Sequence, residues 1–235
     1  MTQVENRPKR LSPLHEQHKI LGARFDLRDG WLIPEIYTAV EEEATVLQES
    51  VGLIDISAWG KLDLKGTQAG TVVSTHFGNT PAKPGDVIEI ESNHILVAEL
   101  TSDEFLVLLP PGAEKEIRTA LETEIASQDT FVSLIDQTSG LAGFSISGSA
   151  SAGVMKKLCA LSFSSKEFPN MHVAQSSFAK VRATIIRHDQ SNLPTFKLFS
   201  DRSYGEYLWD AILDAGREFG IQPVGWETTK KNCQG

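Results

Sequence analysis

Few residues in this chain have types and spacings that could do chemistry. His15-x-x-His18 puts two imidazoles one helical turn apart, a spacing that can hold a metal ion on one helix face. No third ligand accompanies them, so the expectation is a solvated pair and no metal site. His94 stands alone at the expected start of a strand. An imidazole there can exchange protons near neutral pH, and a turn residue is the plainer reading. Cys159 and Cys233 lack metal-ligand spacing. Cys159, among apolar residues, reads as a core thiol, and Cys233 as an exposed thiol in a tail. Asp55 and Asp136 recur at equivalent points of a repeat, as turn or capping residues do.

The elements that must position these residues come in two copies. Leu53-Ile54-Asp55-Ile56-Ser57 leads into Lys61-Leu62-Asp63-Leu64-Lys65-Gly66, and Leu134-Ile135-Asp136-Gln137-Thr138 into Gly143-Phe144-Ser145-Ile146-Ser147-Gly148. The offset is 81 residues at Leu53/Leu134 and 82 at Gly66/Gly148. A small-residue helix is expected after each copy, at 67–73 and 149–155. Further strands are expected at 86–90, 94–100 and 104–109, and later at 178–187 and 195–200, with 162–177 irregular. A short helix is expected to start within 13–20, and helices at 38–51 and 113–126 follow from their apolar spacing. The last helix opens on a Ser203/Glu206 capping box, buries Tyr207, Leu208, Ala211, Ile212, Ala215 and Phe219, and stops at Gly220. Near-constant offset means a duplicated unit. The expected fold is α+β: two fused, pseudo-symmetric ferredoxin-like units at about 40–127 and 128–222. Residues 1–10 and 227–235 read as tails around a domain at 11–226.

A chain of 235 residues, 40% hydrophobic and 23% charged, is long enough to bury a core without disulfides. Its net charge of −9 argues against nucleic acid and anionic membranes, which need clustered Lys and Arg. No apolar run approaches the ~20 residues of a membrane span, and the polar start lacks a signal-peptide core. A reduced cytoplasm is the expected location.

Several segments resemble one known family. Ser12-Pro13-Leu14-His15, Leu21-Gly22-Ala23-Arg24 and Gly30-Trp31-Leu32-Ile33-Pro34 are similar to the opening of the glycine-cleavage T-protein (aminomethyltransferase). Val51-Gly52-Leu53-Ile54-Asp55-Ile56-Ser57 with Gly60-Lys61 and Lys65-Gly66 is similar to its most specific block, and residues 207–213 through Pro223-Val224-Gly225 to the block closing its folate-binding domain. The middle more closely resembles the gamma subunit of heterotetrameric sarcosine oxidase, through residues 100–106, 157–162, 168–169, 174–175 and 202–209. The resemblance spans about residues 11–226. It implies the T-protein folate-binding fold without the C-terminal barrel.

The family's catalytic aspartate pair falls on Asn93-His94, neither of them a carboxylate. Its pteridine-binding motif falls on Arg187 to Leu193, with Gln190 at the tyrosine position and Leu193 at the glutamate position. A leucine cannot accept the paired hydrogen bonds a carboxylate can. Asp189 or Glu227 is the nearest substitute. Trp31, Trp59 and Trp226, with Gln190 and Leu193, are the cleft candidates; each tryptophan could stack on a pterin or belong to the core or an interface. Two functions follow from the resemblance, beside a milder reading as a small-molecule sensor or carrier that keeps a pocket without a reaction. One is a non-catalytic subunit of a methylated-amine or one-carbon enzyme complex, with other subunits such as a flavin-dependent oxidase or demethylase as partners, hetero-oligomeric rather than homo-oligomeric. The other is a free-standing methyl- or aminomethyl-transferase with a rearranged site and tetrahydrofolate as cofactor.

Overall fold

The computed structural model describes residues 10–90, 94–128 and 131–232. The expectations for residues 1–9, Asn93 and Cys233 fall outside them. In chain order the elements are β1 (Arg10–Leu11), α1 (His15–Ile20), β2 (Arg24–Arg28), β3 (Trp31–Ile36), α2 (Val40–Glu49), β4 (Gly52–Asp55), β5 (Gly60–Lys65), α3 (Ala69–Phe77), β6 (Val87–Ile90), β7 (Ile95–Thr101), β8 (Glu104–Leu109), α4 (Glu114–Ser127), β9 (Ser133–Asp136), β10 (Leu141–Ser147), α5 (Ser151–Leu158), β11 (His172–Phe178), β12 (Val181–Arg187), β13 (Thr195–Asp201), α6 (Gly205–Gly216), β14 (Gln222–Pro223) and α7 (Trp226–Asn232).

The two copies of the repeat exchange their first strands. One sheet runs β6-β7-β8-β5-β9 and the other β11-β12-β13-β10-β4-β14. Thus β4, from the first copy, pairs with β10 of the second (Ile54 opposite Ser145). In return β9 pairs with β5 (Ile135 opposite Asp63). A third, small sheet, β1-β3-β2, carries the N-terminal segment. The equivalences extend to all five strands of the first sheet and to five of the second, where β14 is an addition beside β4. Residues Lys61, Leu108, Leu96 and Glu89 lie in line across the first sheet, as Gly143, Phe199, Thr184 and Gln175 do across the second.

Each strand exchange depends on a glycine. Gly66 (φ +147°) and Gly148 (φ +131°) end β5 and β10 in a conformation disfavoured for side-chain-bearing residues. A Cβ would lie 2.2 Å from the Phe131 carbonyl oxygen at Gly66 and 2.5 Å from that of Ser50 at Gly148. Those carbonyls belong to the segments entering the exchanged strands, so backbone must move. Gly66→Ala and Gly148→Ala should each cost about 2–4 kcal/mol, adding conformational strain to overpacking. Urea unfolding measures this; a loss under about 1 kcal/mol would show that the crossings yield.

The two large sheets face each other, with helices outside. Alternate strand residues sort cleanly. Leu53, Phe144, Ile146, Ile185, Phe196 and Leu198 pack outward with α5 and α6. Leu62, Leu64, Val97, Phe105 and Val107 pack outward with α3 and α4. Ile54, Ile56, Leu96, Ala98, Leu106, Leu108, Ile186 and Phe199 meet between the sheets. Strands buried on both faces read as nearly continuous apolar runs, as Ile95 to Leu100 and Phe105 to Leu109 do. At one corner the sheet edges also join, through Val87 N to Met171 O (3.0 Å) and Val173 N to Gly85 O (2.8 Å).

Three expectations need correction. The stretch expected to be a tail from 227 onward lies in α7, where Thr228 is buried and its hydroxyl donates to Glu43 Oε2 (2.7 Å). The stretch 162–177 holds an edge strand, β11, and the strand expected at 178–187 is the end of β11 plus β12. Their turn is Ala179-Lys180, both at positive φ without a glycine to mark it. The last helix is opened by Asp201 rather than Ser203: Asp201 Oδ1 accepts from Ser203 N (2.8 Å) and leads into a 3-10 turn over Arg202–Tyr204. In α6 the buried residues include Trp209, while Tyr207 is half exposed. Gly220 ends the segment in the left-handed conformation as expected.

Candidate functional site

The inner faces of β5, β10 and β13 carry polar side chains where their neighbours carry apolar ones. Around Ser145 and Lys197, which sit opposite one another, this opens a cleft of about 300 Å³. Ile54 and Ile56 of the exchanged strand, Trp59, Pro110 and Trp226 form its apolar walls. Glu89, His94, His188, Gln190 and Thr229 complete the lining.

Charged groups from both sheets meet there. Glu89, on β6, accepts from His188 Nε2 (3.0 Å) and lies 3.3 Å from His94 Nδ1. Burial and the nearby Lys197 charge hold His188 well below the usual imidazole range, against the opposing pull of Glu89. Lys197 is buried, with Nζ 5.4 Å from the Trp59 ring centroid, a cation–π contact. Trp59 and Trp226 pack edge to face at 6.4 Å. Their buried Nε1–H groups have no acceptor among the described residues, and His188 Nδ1 has no partner there. Buried donors are normally satisfied, so a wall with two open indole N–H groups suits a ligand bearing acceptors.

Of the residues singled out by sequence, the cleft gathers Trp59, His94, Gln190 and Trp226. Trp31 does not line it; it is buried behind Trp226 with Ile33 and Ala58. Leu193 also lies outside the lining. It closes a tight Gln190–Leu193 turn, with Ser191 and Asn192 at positive φ, and packs against the inter-sheet core. Asp189 is committed to Arg187 by two hydrogen bonds of 2.9 Å. Glu227 does not line the cleft either.

The pair His15 and His18 is not solvated. His18 is fully buried, with Nε2 2.8 Å from Asp55 Oδ2 and Nδ1 2.8 Å from Tyr37 Oη. No group of three or more His, Cys, Asp or Glu among the described residues could hold a metal ion. Glu89, Ser145 and Lys197 were not legible as site residues. One signal for Lys197 was available: a lysine between Phe196 and Leu198 in an otherwise apolar strand.

A mixed sandwich with exchanged strands and a polar cleft at the inter-sheet face defines the architecture. The profile of the GCVT N-terminal domain family matches residues 14–232, and the chain belongs to that family. It is 24% identical over 230 residues to an aminomethyltransferase of Saccharopolyspora erythraea, covering 92% of this chain and 60% of that protein. It is 26% identical over 245 residues to sarcosine oxidase subunit alpha of Corynebacterium sp. (strain U-96), covering 94% of this chain and 25% of the relative. The chain therefore spans less than two thirds of these curated relatives. In fold it is similar to the glycine cleavage system aminomethyltransferase T from Bartonella henselae (TM-score 0.78, 17% identity, 95% of this chain and 62% of that one). It is also similar to a chain of the heterotetrameric sarcosine oxidase from Corynebacterium sp. U-96 in complex with pyrrole 2-carboxylate (TM-score 0.69, 18% identity, 92% of this chain and 99% of that one). Among the described residues no helix is long and apolar enough to cross a membrane.

Proposed function

We propose that this chain is a non-catalytic subunit of a cytoplasmic enzyme complex of methylated-amine or one-carbon metabolism. The state of the acid positions around the cleft carries this reading. Leu193 offers no acceptor and packs on the inter-sheet core. His94 is exposed, and the carboxylate that does line the cleft, Glu89, is engaged by His188 and His94. The likeness to one chain of the heterotetrameric sarcosine oxidase supports a hetero-oligomer over a homo-oligomer. A flavin-dependent oxidase or demethylase is the partner class. Native purification should bring down larger subunits in fixed stoichiometry, and the chain alone should turn nothing over. A partner-free monomer active in methyl or aminomethyl transfer would sink the proposal.

A second reading, a tetrahydrofolate-dependent methyl- or aminomethyl-transferase with a rearranged site, is favoured by one observation. Glu89 puts a carboxylate 3.3 Å from His94, the position matching the family acid. The fit to folate is divided. Trp59 and Trp226 suit a flat ring bearing acceptors, whereas Leu193 cannot grip a pteridine edge. On this reading tetrahydrofolate binds saturably in calorimetry. Lys197→Met and Trp59→Ala would each weaken it about tenfold, the worth of one good contact. A flat titration at millimolar tetrahydrofolate removes the reading.

A further inference from the structure

The duplication builds a second cleft. The strand equivalences map Ser145 onto Asp63, Lys197 onto Leu106, and Glu89 onto Gln175. Those three counterparts line one cavity of about 270 Å³, at the opposite end of the inter-sheet space. Leu100, Leu141 and Phe199 give it an apolar wall. The residues are new even though the position is dictated by symmetry: the carboxylate sits at the serine's place, and an amide where the first cleft has its acid.

Asp63 is the buried group of this cavity, with its side chain 10% exposed. Lys65 Nζ lies 3.1 Å from Oδ2, but Oδ1 is buried and has no hydrogen-bond partner among the described residues. Burial, with the like charge of Glu104, raises the Asp63 carboxyl above its ordinary value against the pull of Lys65. A buried carboxylate oxygen left open is costly, and a donor cation relieves it. The same cavity presents an opposite charge. Arg182 lines it, its charge reaches Asp63, and its guanidinium makes no hydrogen bond or ion pair among the described residues. The Gln137 and Gln175 carboxamides complete the rim without hydrogen-bond partners of their own there.

We propose that this second cleft binds a small zwitterion, its ammonium on Asp63, its carboxylate on Arg182, and its short apolar side chain against Leu100, Leu106 and Phe199. A guanidinium fork suits a carboxylate, and the volume suits an α-amino acid with a branched aliphatic side chain. The site does not depend on the role assigned to the first cleft.

The test titrates the full chain with L-valine, followed by calorimetry and amide chemical shifts. Isobutylamine and isovalerate serve as probes bearing one charge each. L-valine should saturate in the millimolar range, and each single-charge probe should bind at least about tenfold more weakly, having lost one charged contact. Asp63→Asn and Arg182→Met should each weaken L-valine about tenfold or more, whereas Arg217→Met, on an exposed surface, should not. Arg182 is exposed, so its variant tests the site even if Asp63→Asn disturbs folding. Absence of saturation up to about 50 mM, or binding that ignores Arg182→Met, overturns the proposal. Binding of isobutylamine as tight as that of L-valine overturns the zwitterion and leaves a cation site.

Discussion

Asp55→Ala is expected to be the most damaging single substitution in the chain, costing about 3–5 kcal/mol, the range for breaking a buried charged network. Asp55 is fully buried and holds three segments together. Its Oδ2 accepts from Ser12 Oγ and faces His18 Nε2 at 2.8 Å, and its Oδ1 accepts from Ser57 N at 2.8 Å. His18 passes the link to Tyr37. Alanine would strand a buried imidazole, a buried hydroxyl and a backbone N–H together. At about 2–4 °C per kcal/mol for a domain of this size, Tm should fall by roughly 10 °C. Burial alone would raise the Asp55 carboxyl, but the hydrogen bond and charge of His18, with Ser12 and Ser57, outweigh it and hold it below its ordinary value. A depressed carboxylate contributes stability that is complete above its unfolded pKa and lost as pH falls through the folded one. The gap between wild type and Asp55→Ala should therefore be full at pH 7 and shrink under acid. A double-mutant cycle with His18→Ala should show coupling above about 1 kcal/mol. A loss under about 1 kcal/mol for Asp55→Ala would refute the network's importance.

This network also shows what could be read from the chain and what could not. Asp55 and Asp136 were legible as paired turn residues, and both are: Asp136 Oδ1 accepts from Thr138 N as Asp55 Oδ1 does from Ser57 N. Local chemistry at fixed spacing survives into the fold. The second role of Asp55, toward His18, joins residues 37 positions apart, and spacing carries no such information. The strand exchange was invisible for the same reason. A repeat predicts that two like units exist, but the apolar strand Leu53-Ile54 fits either sheet equally well. Lys61, Asp63, Ser145 and Lys197 were illegible as site residues for another reason. Polar residues alternating with apolar ones in a strand ordinarily mean a solvated face. Here the alternate face looks into the gap between two sheets, so a pattern that signals solvent marks the two clefts and the axis between them.

Lys61 lies at that axis, and its titration should dominate the alkaline stability of the protein. It is fully buried; Nζ donates to the Ser57 carbonyl (2.7 Å) and to that of Thr138 (3.1 Å), the equivalent residue of the other copy. Its own N–H donates to Thr138 Oγ1, as the Gly143 N–H does to Ser57 Oγ, so one side chain spans the two related turns. Burial lowers its pKa from 10.5 to about 7, against the pull of Asp55. Between those values the unfolded chain holds a proton that the folded chain has released. More protons bound in the unfolded state means stability that rises with pH across this window. A shift of this size is worth a few kcal/mol. Lys61→Met removes the titration, so its stability should stay flat where that of wild type climbs. Near pH 7 relief of the buried charge offsets two carbonyls left unpaired, and the two proteins should be close. By about pH 10 the variant should lag by a few kcal/mol. Other titrating groups cancel in the difference, which urea unfolding at several pH values reports directly. Parallel curves would mean that Lys61 keeps its proton in the fold, held as a charged clamp between the copies.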